Sequence, residues 1–319
     1  KDNVAFVIVE KLEKGRDAAE VLPGILQDVI GALPFPKKMR WGAGSFEFAR
    51  PIQWLLVLFG EKAIEFDVAD VRSGSITYGH RFLSDGPIRL DDGLQYVETM
   101  RANSVIVKEE ERKAIIEKGI ATIEQEIACA AIRDEDLIRE IVYITEYPYP
   151  LRGAFEETFL KIPKEVLVNV MKSHQRYIPV QEPNGRLMPY FICFANTVPK
   201  DDRIVIRGNE KVLRARLADA DFFFQEDRKT KLVDLYERLS AIVFHVRLGT
   251  LRDKCERLID ICAYLGQVLG YTQQGKVERA LRMVKSDLLT HMVGEFPELQ
   301  GTMGRIYAKH EGEDDEVAA

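Results

Sequence analysis

The chain has 319 residues, 46% hydrophobic and 30% charged, with 45 Lys and Arg against 51 Asp and Glu for a net charge of −6. At roughly 100–200 residues per domain this is a globular chain of two or three domains, with enough apolar material to exclude wholesale disorder. The longest strongly apolar run, Trp54 to Phe59, falls far short of the ~20 residues a membrane helix needs, and no segment reads as a signal peptide.

In chain order, Val4 to Val9 is β-branched and reads as a buried strand. Ala18 to Leu33 follows as a helix, ended by Pro34-Phe35-Pro36. Ile52–Phe59 and Ala63–Val71 flank Gly60-Glu61-Lys62 as a hairpin, and Ser75–Phe82 and Pro87–Leu90 add short strands. Tyr96 to Ala128 reads as one helix with an apolar face of Ile115, Ile116, Ile120, Ile123 and Ile127, and Leu137–Thr145 as another. Pro163–Lys172 starts with proline in its first turn, as helices tolerate. Tyr177–Gln181 and Pro189–Asn196 read as strands around Pro183-Asn184-Gly185. Helical spacing then dominates: Leu232 through Val246, Leu258 through Leu269, Lys276–Met292 and Thr302–Lys309. The expected fold class is therefore α+β, a mixed α/β domain over 1–230 followed by an all-helical domain over 231–319.

Most chemical signatures are absent. The chain has no G-x-x-x-x-G-K-S/T or G-x-G-x-x-G phosphate loop, no C-x-x-C pair and no G-x-S-x-G elbow. Its four cysteines (Cys129, Cys193, Cys255, Cys262) are scattered, which fits a reducing compartment, and Cys255 and Cys262 fall on one helix face as core residues. Neither a catalytic residue nor a metal site is expected. What stands out is charge. From Lys161 to Lys231 there are 14 Lys and Arg against 9 Asp and Glu, a local net of +5, so the remainder sums to −11. A basic stretch inside an acidic chain suits a local contact to phosphate, although a solvated face explains a modest excess equally well. Two clusters are candidates for RNA contact: Lys172, His174 and Arg176 just after a helix, and Lys211, Arg214 and Arg216 within Arg207–Arg216. Asp219 and Asp221 are alternative partners for Arg214 and Arg216, and Phe222-Phe223-Phe224 reads as a core plug.

Several motifs together carry a resemblance. They are Met39-Arg40-Trp41-Gly42, Phe48-Ala49-Arg50-Pro51-Ile52-Gln53-Trp54, Gly79-His80-Arg81-Phe82 and Met171-Lys172-Ser173-His174-Gln175-Arg176-Tyr177. They continue with Gly208 to Ala220, Leu248-Gly249-Thr250-Leu251 and Glu295 to Gly301. In this order they resemble the β subunit of the bacterial-type heterotetrameric glycyl-tRNA synthetase. The resemblance implies a B3/B4-like domain over 1–230 and an HD-like helical domain, truncated, over 231–319. The usual N-terminal start and the C-terminal anticodon-binding domain are missing from the match. It implies a non-catalytic β subunit of a class II ligase that binds tRNA(Gly) and supports the α subunit in an α2β2 assembly. Glycine, ATP and Mg would be handled on the α subunit, with no cofactor in this chain and a cytoplasmic location. An assembly scaffold without RNA contact, or a hydrolytic editing-like domain, are the alternatives. An HD hydrolase would need a His-Asp pair where Ser286-Asp287 stands, which puts metal chemistry in doubt.

Overall fold

The structure, a computed structural model, describes residues 10, 11 and 14–319. The strand expected over Val4–Val9 lies outside the described residues. The chain divides into two compact units, residues 1–109 and 110–319.

In the first unit, helix α1 (Ala18–Ala32) starts where the Asp17 carboxylate accepts from the Ala19 N–H at 2.8 Å. Its Ala19, Leu22, Leu26 and Ile30 side pack on a small core of Ile64, Phe66 and Val68. The strands are short: β1 (Met39–Arg40) with β2 (Glu47–Phe48), and β3 (Leu55–Leu56) beside a later strand over Val71–Gly74. The expected hairpin is tight, β4 (Leu58–Phe59) and β5 (Lys62–Ala63) around Gly60 at φ +62°. Strand β6 (Asp67–Val68) turns antiparallel into β7 (Val71–Gly74), which runs parallel to β3. The buried Ser73 hydroxyl holds that arrangement, donating to the Ile64 carbonyl and accepting from the Phe66 N–H. Strands β8 (Ile76–Tyr78) and β9 (Pro87–Arg89) pair antiparallel, as expected. His80 is 2% exposed and its Nδ1 accepts from the Phe82 N–H, an architectural role. The single helix expected from Tyr96 is two: α2 (Tyr96–Ala102) ends where Ser104 takes φ +60°, and α3 (Glu109–Glu126) begins anew.

The second unit is built on an antiparallel sheet in the order β10 (Ala130–Ala131), β12 (Ile178–Gln181), β13 (Leu187–Ala195), β11 (Tyr149–Ala154). Alternation along β12 and β13 sends side chains to two cores. Ile178, Val180 and Ile192 meet Ile116, Ile120 and Ile123 of α3 and Leu137, Ile138, Ile141 and Val142 of α4 (Glu135–Ile144). Tyr177, Phe191 and Cys193 face the other way, onto α5 (Lys164–Asn169) and α6 (Asp202–Asp227). Tyr177 stacks on Phe191 with centroids 4.5 Å apart, and the Phe191 ring lies over Gly153, its cross-strand partner.

The 26-residue α6 is the longest element and has no counterpart in the sequence reading. Its Leu213, Leu217, Ala220 and Phe224 share a core with Leu232, Met283, Met292, Phe296, Met303 and Tyr307. The expected boundary at 230/231 thus falls within this unit. The plug of three phenylalanines is corrected at Phe222, which is exposed, while Phe224 is buried and the half-buried Phe223 packs against the same core.

Beyond α6 the all-helical expectation is corrected. Leu232 to Val246 forms two short 3-10 turns and then β14 (Val243–His245), paired with β15 (Gly249–Thr250). The β-branched Ile242 and Val243 adopt extended backbone, and the Leu251 N–H donates to the Ile242 carbonyl at 2.9 Å. Helix α7 (Leu251–Leu269) opens with a Thr250/Asp253 capping box and closes at Gly270 with φ +66°. It carries both Cys255, fully buried, and Cys262, half-buried. The helix expected over Lys276–Met292 is broken into α8 (Gln274–Leu281), a 3-10 turn at Ser286–Leu289 and α9 (His291–Glu295). The break lets buried Asp287 fold back and accept from the Gly301 N–H ahead of α10 (Thr302–His310); α11 (Asp315–Ala318) follows. Among the described residues no helix is long and apolar enough to cross a membrane.

Asp227, the last residue of α6, accepts from the N–H groups of His291 and Met292 and from the Tyr307 hydroxyl, at 2.8–2.9 Å. Asp227→Ala strands those three donors and is expected to lower unfolding free energy by about 2–4 kcal/mol. Urea unfolding followed by circular dichroism measures it. Gly153→Ala would set a Cβ 2.2 Å from the Phe191 ring. Overpacking of this kind costs about 1–3 kcal/mol, so the same titration should show a lower midpoint.

Candidate nucleic-acid interface

The first predicted cluster sits where α5 loosens into a π-helical turn, Val170–His174. Such turns are uncommon and recur at functional sites. The chain then turns sharply at Arg176, whose φ of +56° is rare for a non-glycine residue. That conformation is held by its own side chain: Arg176 Nε donates to Glu140 at 2.7 Å and Nη1 to the Ser173 carbonyl at 2.5 Å. Lys172 is ion-paired with Asp134. Asp134 also caps α4, accepting from the N–H groups of Asp136 and Leu137. The Lys172 ammonium, then these N–H groups, hold the Asp134 carboxyl below its ordinary range. The His174 ring packs edge-on to Phe296, centroids 5.2 Å apart. Lys172 and Arg176 are thus brought together on the α4 side, each opposite a carboxylate.

The second cluster lies on α6. Its Glu210 carboxylate accepts from the Ala154 N–H at 2.9 Å, and its Asn209 side chain accepts from the Tyr177 hydroxyl at 2.9 Å. These bonds fix the helix's rotation against the sheet. At about 100° per residue, Arg207 and Lys211 then fall close together on the solvent side, while Arg216 lies well round toward the core. Arg214 pairs with Glu156, and Arg216 reaches Glu295 at 3.6 Å. Neither pairs with Asp219 or Asp221, the partners that sequence proximity suggested. Lys211 is exposed and makes no ion pair among the described residues, and the same holds for Arg207. The two clusters are therefore not one continuous positive surface, because four of the six predicted side chains already face a carboxylate.

The sequence reading missed the α6 helix itself, and with it the pairing of Arg207 with Lys211 on one face. Leu213, Leu217, Ala220 and Phe224 at helical spacing were the available signal. It also passed over a third basic stretch, between Arg238 and Arg257, which holds five Lys and Arg against two Asp and Glu.

Other reactive groups are quiet. Burial pushes the Cys193 thiol up to about 12, although the Asn209 amide donates to it. Burial likewise raises the Asp287 carboxyl, and one of its oxygens has no hydrogen-bond partner. Among the described residues no three His, Cys, Asp or Glu side chains gather closely enough to hold a metal ion.

Comparison with known proteins supplies what local chemistry does not. The family model described as glycyl-tRNA synthetase beta subunit matches residues 1–319. The chain is 42% identical over 313 residues to a glycine–tRNA ligase beta subunit of Geobacter sp. (strain M21), covering 98% of this chain and 46% of that protein. It is 42% identical over 315 residues to the protein of that name in Syntrophomonas wolfei, covering 99% and 46%. For that of Shouchella clausii the identity is 44% over 316 residues, covering 98% and 45%. The chain thus spans about half the length of the curated relatives it matches. With the family's pattern running through both compact units, the chain belongs to the glycyl-tRNA synthetase beta subunit family.

Proposed function

We propose that this chain is a non-catalytic part of a cytoplasmic glycine–tRNA ligase, contacting tRNA(Gly) and supporting an α subunit in an α2β2 assembly. The α subunit would carry the class II site that joins glycine to tRNA with ATP and Mg. In this reading residues 1–230 correspond to a B3/B4-like region and 231–319 to the opening of an HD-like one. The observation that carries the proposal is the family match over the full chain. The acidic total is compatible with it, because affinity for RNA comes from local cations at phosphates. Of the sequence candidates, Lys211 is the one with an uncommitted charge, and Arg207 joins it on α6. Lys172, His174, Arg176, Arg214 and Arg216 are assigned to positioning that contact.

The scaffold reading has one observation of its own. Ile204, Val212 and Phe222 are large apolar residues exposed along α6, the kind of surface a protein partner covers. A Cys193 thiol pushed up to about 12 by burial is a poor nucleophile, which counts against a cysteine-based hydrolytic reading.

Titration with tRNA(Gly) and a non-cognate tRNA at low and physiological salt tests the proposal. Binding should weaken with salt, and Lys211→Ala should reduce affinity about three- to tenfold while lowering the salt slope by about one. Lys172→Ala and Arg214→Ala should have smaller effects. No binding at low salt would favour the scaffold reading.

A further inference from the structure

We propose that the β14–β15 hairpin and the first half of α7 form a second RNA-contacting surface, suited to an unpaired stretch or end of RNA. This inference rests on the RNA-binding reading above and places a contact outside the two basic clusters singled out from the sequence.

The surface begins with exposure. All six residues from Val243 to Leu248 are exposed, and Val246 at the tip is 93% so. The hairpin is nonetheless firmly mounted. His245 organises the turn, its carbonyl accepting from the Leu248 N–H and its Nδ1 from the Arg247 N–H. Arg257 of α7 reaches back to donate to the Leu248 carbonyl at 2.9 Å. Gly249, at φ +85°, sits so close to Asp253 that a Cβ there would meet its carboxylate at 2.3 Å. Hairpin and helix start are one rigid piece.

Charge decides the partner. Between Arg238 and Arg257 both carboxylates are spoken for. Asp253 accepts from the Thr250 N–H and hydroxyl, and Glu256 accepts from the Tyr236 hydroxyl. Arg252 pairs with Glu237 at 2.8 Å. The other four cations face no carboxylate within ion-pair distance among the described residues, and two of them frame the hairpin. Arg247 stands in its turn, and the Lys254 ammonium lies 4.1 Å from the centre of the Phe244 ring. Phe244 is itself 41% exposed. Cations without a carboxylate partner around a partly exposed aromatic ring are what single-stranded RNA uses: cations for phosphates, a ring for a base. The contrast with the predicted clusters is direct, since there Lys172, Arg176, Arg214 and Arg216 each face a carboxylate.

The test is fluorescence anisotropy of labelled tRNA(Gly) and of a short single-stranded RNA with the chain. Arg247→Ala should weaken both about three- to tenfold and lower the salt slope by about one, and Phe244→Ala should weaken both at least about fivefold. Arg139→Ala, an exposed cation on α4, is the control, and circular dichroism checks that each variant folds. If Arg247→Ala and Phe244→Leu both bind like the unsubstituted chain, this surface is overturned. If Lys211→Ala weakens binding at the same time, the RNA reading itself survives. If the unsubstituted chain binds neither RNA, both fall. If Val246→Ser abolishes association with a partner protein while RNA binding is intact, the hairpin is a protein dock and the proposal is wrong.

Discussion

The carboxylate of Asp227 is the constraint on which the second unit depends. It closes the C-terminal end of α6 by accepting from the first turn of α9 and from Tyr307 of α10. The broken helices after residue 270 also pack on α6 through Met292, Phe296, Met303 and Tyr307, and this carboxylate fixes the polar end of that contact. With it, Phe224 and Tyr307 stack at 5.8 Å and one apolar core extends from the sheet to the last helix. Substitutions on either side of residue 230 therefore act on a shared core, and their effects on stability should not add independently.

The same packing governs electrostatics. Helix α6 is rotated by Glu210 and Asn209 so that some of its cations reach carboxylates on neighbouring elements. Exposed pairs of this kind contribute little to stability. Their larger effect is to remove positive potential from the surface where sequence composition placed it. A local net of +5 is real in the chain and largely cancelled in space, because the compensating acids come from distant segments such as Asp134, Glu140 and Glu295.

Much of the fold was legible where period and local chemistry agreed. Helices α1, α4, α7 and α10 and the β12–β13 and β8–β9 pairs follow from apolar spacing and turn residues. The family was legible from ordered motifs rather than from any single residue. What was illegible depends on tertiary contact. The Lys276–Met292 stretch keeps a helical pattern, but Asp287 leaves it to accept from Gly301, and a long-range bond outweighs a weak local preference. Leu232 through Val246 is also at helical spacing, yet its first half is buried and its second half is an exposed strand. The candidate site suffered most, since a cation's partner cannot be read from its neighbours in sequence.

Helix α7 changes character along its length. Its first turns are anchored by buried Leu251 and Cys255, whereas Ile261, Tyr264, Leu265, Val268 and Leu269 are exposed, with Gly266 the one buried position in that half. Against α8 that half offers a glycine backbone contact to Gln274 rather than a side-chain core. A helix so mounted is cooperative with the domain at one end and nearly independent at the other. Amide hydrogens in its last turns should then exchange through local opening, well before those near Cys255, which wait for the whole unit to unfold.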